Sequence, residues 1–254
     1  MFILLSPSKT LAPRLSDNCL RTTAPHFSSE AEEIMDSLKK WTDSELSSKM
    51  KLSPALTKKI CKWHAAWGTQ EYGTHAGFAM MGEAFKALDL DSFTSEDLSY
   101  ASKKLYILSG VYGALSPCDL IDPYRLEMAQ SFTPNQTFKS LNAYWSSKLP
   151  SYFSNLSTTY ESEMIVNLAS DEYSKVVLRK DLNARVLNFQ FKVLKDGKLK
   201  NISVFSKQAR GALARFIIQN RITDPINLKD FNYLDYRFNS ELSGPELMTF
   251  IKTV

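Results

Sequence analysis

The chain has 254 residues, 44% apolar and 23% charged, with 31 Lys/Arg against 27 Asp/Glu and a formal net charge of +4. These proportions describe an ordinary globular protein with room for a sizeable core, and no apolar run approaches the roughly 18 residues of a membrane span. Cys19, Cys61 and Cys118 are odd in number and far apart, which predicts no disulfide framework or zinc ribbon and fits a reducing, cytoplasmic setting.

Phe2–Leu5 is an apolar run with no basic region before it and Pro7 just after, and reads as a first strand, not a signal peptide. It ends in Ser6-Pro7-Ser8-Lys9-Thr10, a set of hydroxyls and a lysine suited to an anion. Neither GxxxxGK[ST] nor GxGxxG occurs, so a nucleotide loop is not indicated. Residues 11–27, with Pro13 and Pro25, read as a loop. A helix capped by Ser28 or Ser29 runs to about Trp41, with acids in its first turn and Lys39-Lys40 in its last, as the helix dipole favours.

A second helix spans about Asp43 to Lys49, residues 50–52 turn, and Ser53-Pro54 opens a third helix to about Trp67, Ser serving as N-cap and Pro as first helical residue. Lys49, Lys51, Lys58, Lys59 and Lys62 surround the turn. The segment at about 43–67 resembles a helix-hairpin-helix, in which turn amides and the helix start at Ser53 face a DNA phosphate. The customary hairpin glycines are absent, and an ordinary αα-hairpin is the plainer alternative. Cys61 and His64 share a helical face, but two residues without further ligands point to packing; no metal site is expected.

Leu105–Leu108 reads as a buried strand that stops at Ser109-Gly110, with Tyr112 and Gly113 following. The steps Ser116-Pro117 and Asp122-Pro123 keep the chain extended, and Tyr124, Arg125 and Glu127 come immediately after. Charged groups at a strand's carboxyl end form site lips in α/β proteins; a simple Arg125–Glu127 pair is the alternative. A helix interrupted near Pro150 covers about 138–153, and Met164–Leu168 is a third buried strand, ending in Asn167-Leu168-Ala169-Ser170-Asp171-Glu172-Tyr173. Runs 185–195 and 198–205 about Asp196-Gly197 predict a hairpin. Ser206 then caps a helix with Lys207, Arg210 and Arg215 in its first turns, against the dipole. Stretches 231–238 and 247–254 close the chain as strands.

Twelve Lys/Arg against Asp181 and Asp196 fall between Tyr173 and Arg221, and seven Lys against Asp43 and Glu45 between Lys39 and Lys62, so the remainder is net acidic. Such asymmetry is the footprint of a polyanion binder. The expected fold is α/β (α+β): a single domain, 1–254, with a mixed β-sheet flanked by helices.

The blocks SPSKTL (6–11), LSGVYGALSPCDLIDPYRLEM (108–128), NLASDEY (167–173) and ARGALARFIIQNR (209–221) closely resemble the YaaA family of bacterial peroxide-stress proteins. They occur in order over nearly the whole chain. One departure is Gly82-Glu83-Ala84-Phe85, where the family tends to have Gly-Asp-Val-Tyr. The resemblance implies a cytoplasmic protein that limits oxidative damage and lowers free iron under peroxide stress. It also implies a positively charged cleft and DNA binding through a helix-hairpin-helix, here about Leu46 to Leu56.

The leading expectation is therefore binding of double-stranded DNA with little sequence preference by Lys49, Lys51, Ser53, Lys58, Lys59, Lys62, Lys207, Arg210 and Arg215. No cofactor and no membrane contact are implied, and a monomer is expected. The rival is an enzyme acting on a nucleic-acid base or nucleotide. Lys9, Arg125 and Glu127 would be catalytic there, and Ser6, Tyr112, Tyr124, Asn167 and Glu172 would line the pocket. A scaffold binding RNA or an acidic protein is a third reading.

Overall fold

The computed structural model describes residues 1–19, 21–159 and 164–253. In chain order the elements are β1 (Phe2–Leu5), α1 (Ser28–Leu38), α2 (Asp43–Met50), α3 (Pro54–Ala65), β2 (Thr74–His75), α4 (Ala76–Ala79), α5 (Glu83–Leu88) and α6 (Ser95–Lys104). Then come β3 (Leu105–Ser109), β4 (Gly113–Leu115), β5 (Leu120–Ile121), α7 (Leu141–Ser146), α8 (Leu149–Thr159), β6 (Met164–Leu168) and α9 (Asp171–Ser174). The chain ends with β7 (Arg185–Lys195), β8 (Lys198–Lys200), α10 (Ser203–Gln219), β9 (Arg237–Gly244) and β10 (Leu247–Thr253).

The main sheet has the order β4-β3-β1-β6-β7-β10-β9, with β8 pairing β7. β3, β1, β6, β7 and β10 are parallel to their neighbours in this row, whereas β4 and β9 are antiparallel edges. Every residue of β1, β3 and β6 is buried, as expected of parallel strands covered on both faces, and this is why they read as continuous apolar runs. The result is a mixed α/β architecture with a mainly parallel sheet flanked by helices. β1 lies between β3, which follows it, and β6, which comes much later in the chain. The direction of winding therefore reverses at the carboxyl end of β1, where α/β folds place their ligand crevices.

Local chemistry explains the helix starts near that crevice. The Thr42 hydroxyl accepts from the Glu45 N–H and the Glu45 carboxylate accepts from the Thr42 N–H, a capping box that opens α2. Ser53 caps α3, with Pro54 at its first position. Between them Lys51 takes the left-handed conformation at φ 53°, the region in which glycine is the usual occupant. Thr94 and Asp97 form a second capping box at α6. The Asp196-Gly197 turn has positive φ at both residues, as a tight hairpin requires.

Several boundaries differ from the sequence reading. Ser28 donates to the Pro25 carbonyl at 2.6 Å and Phe27 occupies the N-cap of α1. β8 stops at Lys200, and α10 already begins at Ser203; the Ser206 hydroxyl donates to the Phe191 carbonyl of β7 at 3.2 Å and so is not the cap. Within the 231–238 stretch Tyr233–Asp235 forms a 3₁₀ turn, and the strand, β9, starts only at Arg237 and pairs with β10. Val254, the last residue of the expected final strand, lies outside the described residues. Among the described residues no helix is long and apolar enough to cross a membrane.

The cysteine expectation is overturned. Cys19 and Cys118 form a disulfide with Cα atoms 5.7 Å apart and a sequence separation of 99. Separation along the chain hid their proximity: Thr23 bridges to Asp119 and donates to the Cys118 carbonyl at 3.2 Å, laying the 11–27 loop along the turn after β4. The cysteine argument for a reducing compartment falls with it. Cross-linking residues so far apart removes unfolded-state entropy worth up to about 4–5 kcal/mol in the loop-closure account. Reduction, or Cys118→Ala, should therefore lower unfolding free energy by about 2–4 kcal/mol in urea titrations. A thiol assay in denaturant should find only Cys61 reactive before reduction, and equal stability of oxidised and reduced protein would contradict the cross-link's role.

Candidate functional site

The carboxyl end of β1 feeds directly into Ser6–Thr10, and the residues gathered around it come from distant parts of the chain. The Ser6 hydroxyl accepts from the Ser170 N–H at 2.8 Å and donates to the Ser170 hydroxyl at 3.2 Å, tying the end of β1 to the end of β6. Arg125 donates through Nη1 to the Lys9 carbonyl at 2.7 Å and through Nη2 to Glu127 Oε1 at 3.0 Å. Lys9 Nζ pairs with Glu127 Oε2. Glu172 accepts from the Ala129 N–H at 3.0 Å. Ser6, Lys9, Arg125, Glu127 and Glu172 thus meet at one rim. The Arg125–Glu127 pair offered as the plain alternative also exists; Lys9 makes it a triad.

The other expected pocket residues have bracing roles. Tyr124 is buried, its hydroxyl shares a 2.6 Å hydrogen bond with Ser109, and burial pushes its pKa up to about 12. The Tyr112 hydroxyl accepts from the Asp122 N–H at 3.0 Å while its ring stacks on Trp67. Asn167 donates to Asn188 Oδ1 at 2.9 Å and accepts from the Ala169 N–H at 3.1 Å, locking the end of β6 to β7.

Beside the rim lies a cavity of about 480 Å³, walled by Ser6–Thr10, by Gly82–Phe85 at the start of α5, by Ser170 and Glu172, and by Lys207 and Arg210 of α10. Two glycines set this wall. A Cβ on Gly82 would come within 2.8 Å of the Ser8 hydroxyl, and one on Gly211 within 1.8 Å of the Ala84 carbonyl, so α10 lies backbone to backbone on α5. Glu83 accepts from Lys86 Nζ at 2.7 Å and from Gln208 Nε2 at 2.8 Å.

The cations divide into groups. Lys207 and Arg210 face the cavity. Arg215 does not: it donates to Asp89 at 2.6 Å and to Gln219 at 3.0 Å and lines a different cleft, since five residues along a helix bring it to another face. Lys49, Lys51, Ser53, Lys58, Lys59 and Lys62 are all exposed on α2, α3 and their turn. Lys49 lies over the Trp41 ring and Lys59 over the Trp63 ring. The Lys49 carbonyl accepts from Gln130 Nε2 at 3.1 Å, and Gln130 follows Ala129, which is bonded to Glu172. Ser170 and Asp89 are the residues the sequence reading passed over. Ser170 had a signal in the polar run after β6; Asp89 had none.

Cys61 donates to Asp43 at 3.1 Å, and burial and that carboxylate raise its pKa to about 11. His64 is buried with Nε2 unpartnered; burial, then the Lys39 cation, lower its pKa to about 4. The unfolded chain, with an ordinary histidine, takes up a proton below about pH 6.5 that the folded chain refuses until about pH 4. Stability from this source is therefore full above pH 6.5 and falls on acidification, by up to about 3 kcal/mol. Asp119, raised to about 6 by burial, acts in the opposite sense over much of the same range. His64→Gln should flatten the acid-side loss relative to wild type in urea unfolding at neutral pH and at about pH 4.5. Parallel curves would show that His64 does not control it.

Residues 1–242 match the family described as "Peroxide stress protein YaaA". A "UPF0246 protein" of Clostridium beijerinckii is 39% identical over 257 residues, covering 100% of this chain and 98% of that protein. On both grounds, with the strand-end blocks assembled as described, the chain belongs to the peroxide stress protein YaaA family.

Proposed function

We propose that this peroxide-stress protein protects by binding double-stranded DNA with little sequence preference, and that its action accompanies lower free iron. The observation that carries the reading is the short run of contacts from the hairpin to the cavity. The Lys49 carbonyl meets Gln130, the neighbouring Ala129 meets Glu172, and Glu172 shares a wall with Lys207 and Arg210. This supports two basic groups, the α2–α3 turn and α10, lying within one connected surface with Glu172 between them, so that one phosphate backbone can reach both. Ser53 and the amides that open α3 sit at the turn beside Lys51, where an anion gains from both charge and helix dipole. The link to iron comes from the family resemblance; the protective role is that of the family, and DNA is the target the exposed lysines favour.

A second reading, chemistry on a base or nucleotide, is favoured by one observation: Lys9, Glu127 and Arg125 converge beside a cavity large enough for such a group. Both Glu127 oxygens are already engaged, so a proton-transfer role requires Lys9 to move away on binding.

Affinity for duplex DNA should fall with salt at about −0.9 in log–log slope per phosphate neutralised, and Lys51→Gln/Lys58→Gln/Lys62→Gln should flatten that slope by about 2–3. Fluorescence anisotropy of a labelled duplex at several salt concentrations measures this. A slope that the triple substitution leaves untouched would remove the hairpin from the binding surface. Cells carrying Glu127→Gln that resist peroxide as well as wild type would remove the catalytic reading.

A further inference from the structure

Lys207 and Arg210 border more than the strand-end cavity. A second cavity, of about 520 Å³, lies over the end of β6 and the middle of β7 and shares Ser170, Lys207 and Arg210 with the first. Arg210 is mostly buried, and its Nε is shut off from water without a hydrogen-bond partner. Among the described residues neither Arg210 nor Lys207 enters an ion pair. A guanidinium taken out of water with a donor unsatisfied is costly unless an anion completes it. Burial lowers the Arg210 pKa, and the Asp171 carboxylate opposes that effect.

The surroundings narrow the anion. Ser170 supplies a hydroxyl at the neck between the two cavities. The second cavity's lining includes the exposed residues Gln190 and Asn201, which carry carboxamides, and Leu247. Asn188 is already bonded to Asn167. A carboxamide offers donor and acceptor together, the pair that matches the edge of a nucleobase. A guanidinium with a neighbouring ammonium suits a phosphate. The acids close by are Asp171, Glu172 and Glu83; Glu172 is held by the Ala129 N–H and Glu83 by Lys86 and Gln208. Their charge disfavours a triphosphate and leaves room for one phosphate group.

We propose that this double cavity binds a nucleoside monophosphate, free or at the end of a strand, with the phosphate at Arg210 and Lys207 and the base between Gln190 and Asn201. The proposal stands on α10, the end of β6 and the middle of β7, and does not need the hairpin to bind duplex DNA.

Isothermal titration with AMP, GMP, CMP and UMP, against the matching nucleosides and inorganic phosphate, tests it. At least one monophosphate should bind tenfold or more tightly than its nucleoside and than inorganic phosphate. Arg210→Gln should weaken that binding at least tenfold, and so should Lys207→Gln, whose exposed side chain leaves the fold intact if burial of Arg210 proves essential to folding. Lys51→Gln/Lys58→Gln/Lys62→Gln should leave it unchanged even where duplex affinity is lost, which separates this site from the duplex surface. Single-stranded oligonucleotides with a 5′-phosphate or a 5′-hydroxyl identify the source: preference for the phosphorylated strand over both its twin and free monophosphate assigns a strand end, and the reverse assigns the free nucleotide. The proposal is overturned if no ligand gains from its phosphate, or if the folded Lys207→Gln and Arg210→Gln proteins bind as wild type does.

Discussion

The placement of β1 between β3 and β6 is the constraint on which the rest of the molecule depends. Its four side chains are buried and its two neighbours run parallel to it, so the chain must leave the sheet at one rim, between the ends of strands that are remote in sequence. Ser6 and Ser170 then bond across that gap, and Arg125 reaches over to the Lys9 carbonyl. Ser6, Ser170, Lys9, Arg125 and Glu127 are all held at this crossing point or by the segment resting on it. The tyrosines beneath contribute rigidity: Tyr124 and Tyr112 fasten the extended 116–128 segment to the strand end, so Arg125 and Glu127 are presented from a stiff support.

Charge at this rim is of two kinds. Lys9 and Arg125 share the single carboxylate of Glu127, which leaves the triad net positive, and Arg215 is matched by Asp89. Such partly exposed pairs contribute little to stability, typically below about 1 kcal/mol each, but they fix where the remaining cations lie. Among the described residues Lys207 and Arg210 enter no ion pair. Because α10 begins at Ser203, both lie beyond its first turn, where the opposing helix dipole has largely faded. The cost of holding them is therefore mainly desolvation of Arg210, and that cost is what an anionic partner would relieve.

Parts of this were legible in the residues. The three central strands announced themselves as apolar runs because both of their faces are covered. Ser53-Pro54 marked the start of α3, and Asp196-Gly197 marked the β7–β8 turn, since in both cases local backbone preference and the final conformation agree. Errors arose where a side chain's partner was distant. Ser206 has the residue type of a cap but bonds to Phe191 on β7. Arg215 looked like a companion of Arg210 until Asp89 claimed it. The 231–238 stretch has the aromatic content of a strand, yet Phe231 and Tyr236 fill space against Phe191 and Phe250 from irregular backbone on either side of a short 3₁₀ turn.

By itself the sequence determined the buried strands, the capped helix pair with its lysines, and the family, because these depend on residues close together in the chain or on ordered blocks of them. Tertiary structure decided which polar groups meet: the Lys9–Glu127–Arg125 triad, the Ser6–Ser170 tie and the Cys19–Cys118 bond. These contacts join segments up to 164 residues apart. Such proximity is a property of strand order, and strand order is set when the packed sheet selects one topology, a choice no local preference encodes.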